Sequence, residues 1–217
     1  LGQYRVYKMK QPPQISISRL ALYLRFLDDY LAENGPNSTI KSTQLARFLK
    51  INPHQIRKDL SYFGKFGERG IGYRVEELKN KISQILGLDR NWKLCLCGMG
   101  NLGSALFAYR GFKQMRLSIL AVFDSDHKKI GKVIQGVRVY SVDSIPEIVK
   151  KLKIDIAVIT APGFAAQSIA DKLARSGIKA ILNFAPVKLS VSERIKLRNV
   201  DLSTEFNYLT YFLSVQQ

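Results

Sequence analysis

The stretch KLCLCGMGNLGSALF, residues 93–107, restricts the fold more than any other part of the chain. A short apolar run stops at Gly98, and Gly98-x-Gly100-x-x-Gly103 leads into a helical pattern. A second apolar run, LSILAVFD, ends on Asp124, 21 residues after Gly103. Between a strand and a helix, this spacing serves three purposes. Gly98 permits a tight turn, Gly100 lets a pyrophosphate approach the backbone, and Gly103 lets helix and strand pack closely. The phosphates then sit at the helix N-terminus, where free N–H groups favour anions. A carboxylate at Asp124 can accept from the adenosine ribose hydroxyls and repels a 2′-phosphate. That favours NAD over NADP, although Lys128 and Lys129 follow closely and work against it. Two more apolar runs, DIAVIT and KAILNFA, flank a helical PGFAAQSIADKLARSG. Such alternation predicts a parallel, doubly wound sheet with ligands at the carboxyl ends of its strands.

The first half of the chain follows a different pattern. Residues 17–32 place Leu20, Leu24, Leu27 and Leu31 at three- and four-residue steps, which predicts an amphipathic helix ended by Asn34-Gly35-Pro36. A shorter helix, STQLARFLK, follows with Ser42 as its expected N-cap. After a turn, Asn52 is expected to cap a third helix, with Pro53 at its first position and Gln55 at the capping-box spacing. Ile56, Leu60 and Phe63 form its apolar stripe, leaving His54, Gln55, Arg57, Lys58, Ser61 and Tyr62 outside. GKFGERGIGYRV then reads as a glycine-rich hairpin with Lys65 and Arg69 at its tips. Helix, short turn, helix with a basic outer face, then a basic hairpin is the layout of a winged helix-turn-helix, whose second helix enters the major groove of double-stranded DNA. Arg57 and Lys58 are expected to reach base edges, and Lys65 and Arg69 phosphates or groove walls.

The balance of charge agrees. The formal net charge is +17, and the window 38–74 holds 8 basic residues against 2 acidic ones. An excess of this kind favours nucleic acid through counterion release. No apolar run is long enough to span a membrane and no signal peptide opens the chain, so a cytoplasmic protein is expected. Cys95 and Cys97 are the only cysteines and share one face of a predicted strand, which makes them core thiols and leaves no expected metal site. Tyr109 and Lys113 have the Y-x-x-x-K spacing of short-chain dehydrogenases. They fall too early for that role, at the end of the first helix of the nucleotide fold, and no second substrate domain follows. No enzyme is expected; the competing reading is a small NAD-dependent oxidoreductase with an incidental basic N-terminal domain. Near the C-terminus, STEFNYLTYFLSV is apolar around most of a helix and must be buried, against its own domain or against a second copy. The two-fold symmetry of a palindromic operator favours the second copy.

Taken together, ISRLALYLRFL, IRKDLSYFGKFGERGIGY, CGMGNLGSALFAYRGF, VFDSDHKKIG, ILNFAP and VDLSTE resemble the Rex family of bacterial redox-sensing repressors over residues 16–215. The resemblance implies a homodimer that holds operator DNA when NADH is scarce and leaves it when NADH binds. It also implies that the C-terminal helix is exchanged between subunits, with Phe206, Leu209, Phe212 and Leu213 at that contact. By the same resemblance Asn101, Leu102, Thr160, Pro162, Asn183, Phe184 and Ala185 join Gly98, Gly100, Gly103 and Asp124 around NADH or NAD, with NFAP near the nicotinamide. Arg19, Tyr109 and Asp201 match positions of inter-domain and inter-subunit polar contacts. The expected division is a tail at 1–15, a winged-helix domain at 16–80, a linker at 81–91, a Rossmann-like domain at 92–203 and a dimerisation helix at 204–217.

Overall fold

A computed structural model describes residues 12–68 and 70–215. The chain divides into two compact units, with the boundary between Arg90 and Asn91.

In the first unit α1 (Gln14–Asn34) buries Ser16, Leu20, Tyr23 and Leu27 along one stripe. Tyr23 takes the core place expected for Leu24, and Leu24 and Leu31 are half-buried at its edge. β1 (Thr39–Ile40) leads into α2 (Ser42–Leu49). The cap of α2 is Lys41 rather than Ser42, because the Gln44 side chain reaches back to accept from the Lys41 N–H at 2.9 Å. Lys50, with φ 53°, closes the turn into α3 (Pro53–Ser61). Among its described residues the glycine-rich segment pairs with itself at a single bridge, between Glu68 and Gly72. The strand after it, β2 (Tyr73–Arg74), pairs antiparallel with β1 instead, Ile40 opposite Tyr73. Then α4 (Val75–Ile85) packs on α1 through Val75, Leu78 and Ile82. The linker expected at 81–91 therefore opens as the last helical turns, because fully buried Ile82 ties them to the core.

The second unit is built on one seven-stranded sheet in the order β5-β6-β4-β3-β7-β8-β9. In chain order its elements are β3 (Trp92–Cys97), α5 (Asn101–Phe107), α6 (Gly111–Gln114), β4 (Leu117–Asp124), β5 (Val133–Ile134) and β6 (Val137–Ser141). They continue with α7 (Ile145–Leu152), β7 (Ile156–Ile159), α8 (Gly163–Arg175), β8 (Ala180–Asn183), β9 (Lys196–Asn199) and α9 (Leu202–Val215). All pairings are parallel except β5 with β6. Residues two apart share a face, so Cys95, Cys97, Ala121, Phe123, Ala157 and Ile159 pack with Ile148 of α7 and with Ala166 and Leu173 of α8. Leu94, Leu96, Val122 and Val158 face the other way, toward Leu106 and Phe107. Both cysteines are thus core thiols. Their mutual contact and their burial push the Cys97 thiol well up. The chain leaves β3 toward β4 on one side and returns to β7 on the other, and this switch opens a crevice at the strand ends. No helix among the described residues is long and apolar enough to cross a membrane.

Candidate functional site

At the crevice, each glycine of the turn meets a different demand. Gly98 has φ +105°, and a Cβ there would lie 2.9 Å from the Ala161 nitrogen. At Gly103 a Cβ would fall 2.0 Å from the Gly98 carbonyl oxygen, so the start of α5 can close on the strand end only without a side chain. Gly100 has the opposite surroundings, with nothing within 4 Å of a Cβ. That open space lies at the mouth of a cavity of about 690 Å³, lined among others by Gly98, Met99, Gly100, Asp124, Thr160, Pro162 and Phe184. These residues fit the diphosphate of a dinucleotide: bare backbone at Gly100, the start of α5 beside it, and a carboxylate on the wall.

Asp124 is 8% exposed. Its Oδ2 accepts from the Met99 N–H at 2.7 Å and its Oδ1 from the Asp126 N–H at 2.8 Å, while Lys129 Nζ stands 3.4 Å from Oδ2. Burial pushes its pKa up, but the two backbone N–H groups and Lys129 outweigh that and hold it below the ordinary carboxylate value. The residue stays ionised and keeps lone pairs for a ribose hydroxyl. Thr160 donates its hydroxyl to the Gly98 carbonyl at 2.7 Å and so braces the turn.

Asn183 does not stand where it was expected. It is fully buried, and its amide donates to Ala185 O, Val187 O and Asn199 Oδ1 and accepts from the Ala185 N–H. It organises the loop that presents Phe184 and Pro186 to the cavity and does not line it. Ala185 is buried within that loop, and Asn101 and Leu102 are exposed on the first turn of α5, off the cavity wall. Tyr109 and Lys113 straddle the break between α5 and α6 and line a separate cleft, with Tyr109 edge-on to Phe112 at 5.3 Å. Asp201 accepts from the Ser203 N–H at 2.9 Å, as a cap of α9. Phe206, Leu209, Phe212 and Leu213 on α9 are all exposed in the single chain, as is every described residue of that helix.

In the first unit the Asn52 side chain caps α3, accepting from the His54 N–H at 2.8 Å. His54, Arg57, Lys58, Ser61 and Lys65 are exposed, and Tyr62 is half-buried. Arg69 lies outside the described residues. Gln55 does not complete a capping box; its Nε2 donates to Asp59 Oδ1 at 2.9 Å. The sequence pattern missed Asp59, a fully buried carboxylate inside the apolar stripe of α3. Arg19 donates to it through Nε at 2.5 Å and Nη2 at 2.6 Å, Tyr23 at 2.7 Å and Ser16 at 2.8 Å. Burial raises the Asp59 pKa, yet the hydrogen bonds from Arg19, Tyr23, Ser16 and Gln55 prevail and lower it to about 2. Arg19, expected at a contact between domains or subunits, makes these bonds to Asp59 within its own unit. Ser16, Arg19 and Tyr23 at three- and four-residue steps on α1 were the available signal, as they mark a polar seam beside the leucines.

Two family models match the chain, one described as "CoA binding domain" over residues 89–187 and one as "Putative DNA-binding protein N-terminus" over residues 13–61. The redox-sensing transcriptional repressor Rex of Desulfitobacterium hafniense is 46% identical over 92% of this chain and 94% of its own length. That of Pelotomaculum thermopropionicum is 45% identical over 95% and 96%. Among solved structures, RSP in complex with beta-NAD+ and operator DNA matches with a TM-score of 0.89 and 37% identity, covering 93% of this chain and 92% of that one. RSP in complex with beta-NADH matches with a TM-score of 0.85 and 35% identity, covering 95% and 96%. The two sequence relatives are named as repressors and not as oxidoreductases, and their matches and those of the solved structures span both units of the chain. The chain belongs to the Rex family of redox-sensing transcriptional repressors.

Proposed function

We propose that this chain is a cytoplasmic, homodimeric repressor that grips a palindromic operator through α3 and releases it when NADH occupies the crevice at Gly100. One observation carries the reading. A cavity with open space at Gly100 and an ionised Asp124 on its wall is carried in one chain with a capped, basic helix-turn-helix helix. The two RSP complexes, one with NAD+ and operator DNA and one with NADH, support the same pairing of ligand and output.

The nicotinamide ring brings the redox signal. The chain's own groups do the rest. Gly100 and the first turn of α5 receive the diphosphate, Asp124 holds the ribose, and the loop braced by Asn183 sets Phe184 and Pro186 against the far end. The apolar helix α9 supports the dimer, since a helix this exposed in one chain requires a cover and an exchanged copy supplies one. Removal of residues 204–217 is expected to leave a monomer by sedimentation.

NADH moves the equilibrium only by its differential affinity for the two arrangements of the dimer. A swing from nearly all bound to nearly all released needs roughly a 10⁴-fold preference, shared between two sites. The testing experiment titrates NADH and NAD+ separately into the protein bound to duplex from its own promoter. NADH is expected to release the DNA at concentrations where NAD+ does not. By reciprocity, saturating operator is expected to weaken NADH binding; an NADH affinity indifferent to operator refutes the coupling.

A further inference from the structure

The polar residues of α3 are not equivalent. His54, Lys58 and Ser61 are exposed on the side opposite the buried Ile56, Asp59 and Leu60. The residues flanking that stripe are both tied to the protein. Gln55 donates to Asp59, and Arg57 donates through Nη1 to the Ser42 hydroxyl at 2.9 Å. The bond to Ser42 turns the Arg57 guanidinium away from the central stripe and toward α2. There it lines a cleft of about 580 Å³ together with Lys41, Ser42, Thr43 and Lys65, and Glu68 is the one acid among the described lining residues. One N–H of the planar fork is held by Ser42, which fixes its plane and leaves the remaining donors for an anion. Three cations converging on a cleft beside a groove-reading helix suit a DNA phosphate, which fixes register and carries no sequence information.

We infer that Arg57 is a backbone clamp that, with Lys41 and Lys65, holds an operator phosphate, while the stripe of His54 and Lys58 reads the bases. This divides between two tasks a pair of neighbouring cations that the sequence pattern placed together as base readers. The inference rests on the operator-binding reading above.

The test uses the full-length wild type, Arg57→Ala, Arg57→Lys and Lys58→Ala. The probes are a duplex selected by the wild type from a randomised pool and a shuffled duplex of equal composition, each measured over a range of salt. If the wild type prefers neither duplex, the operator reading itself fails. If it prefers the selected one, Arg57→Ala is expected to weaken both duplexes by the same factor and lower the salt slope by about 1. Arg57→Lys, which keeps the charge, is expected to restore most of that loss. Lys58→Ala is expected to cut the preference for the selected duplex about tenfold or more, the size of a lost base contact. A collapse of preference in Arg57→Ala with the preference intact in Lys58→Ala overturns the inference and leaves the operator reading standing.

Discussion

Asp59 in the first unit and Asp124 in the second are both buried carboxylates held below their ordinary pKa, and they do different work. Side chains from α1 and α3 take up Asp59 on every side, so its charge is consumed in fixing α3 to α1. The partners of Asp124 are two backbone N–H groups of the neighbouring loops and, at 3.4 Å, the Lys129 ammonium, and it looks onto a cavity. A buried acid signals a binding site only when part of its hydrogen-bonding capacity points at open space. When side chains from another helix use all of it, the same burial signals a brace.

Substitution of the two acids breaks the comparison most sharply. Asp59→Ala strands the Arg19 guanidinium and the Tyr23 hydroxyl, and is expected to cost about 3–5 kcal/mol and to abolish DNA binding with the folded first unit. Asp124→Ala removes the acceptors of the Met99 and Asp126 N–H groups and is expected to cost about 1–3 kcal/mol of stability while losing NADH. Thermal melts and NADH fluorescence on both variants check this; equal destabilisation refutes the distinction between brace and site.

The glycines sharpen it next. Gly100→Val projects into open space, so the variant is expected to melt like the wild type yet bind NADH about 100-fold more weakly, or roughly 2.8 kcal/mol. Gly103→Val drives a side chain into the Gly98 carbonyl and is expected to lower the melting temperature as well.

Acid titration separates the units by a smaller amount. A carboxyl with a depressed folded pKa stabilises the fold above its unfolded value of 3.8, and that stability is lost as the pH falls through about 2. Asp59 is expected to contribute about 2 kcal/mol this way, and Asp59→Asn is expected to flatten the stability profile between pH 4 and 2. The smallest effect concerns the ribose. Asp124 is expected to favour NADH over NADPH about tenfold, near 1.4 kcal/mol, with Lys129 softening the rejection. Competition titrations decide it, and equal affinities remove Asp124 from the specificity argument.

The strand–glycine turn–helix pattern was legible because local backbone demands are written in residue type: only glycine tolerates the φ of Gly98 or the 2.0 Å approach at Gly103. Asn52 and Pro53 were legible for the same reason, as capping is decided within one turn. The short strands β5, β6 and β9 were not, since two to five residues carry too little periodicity and form only against a neighbour already in place.

The sequence alone thus determined the two units, their order, the glycine turn and the capped third helix with its basic outer face, each through patterns spanning a few residues. Tertiary structure decided the rest. Arg19 spans 40 residues to reach Asp59, Arg57 spans 15 to reach Ser42, and Asn183 spans 16 to reach Asn199. Side-chain hydrogen bonds depend on distance in space, and residue type along the chain states only what a group can donate or accept, not which partner the fold brings within 3 Å.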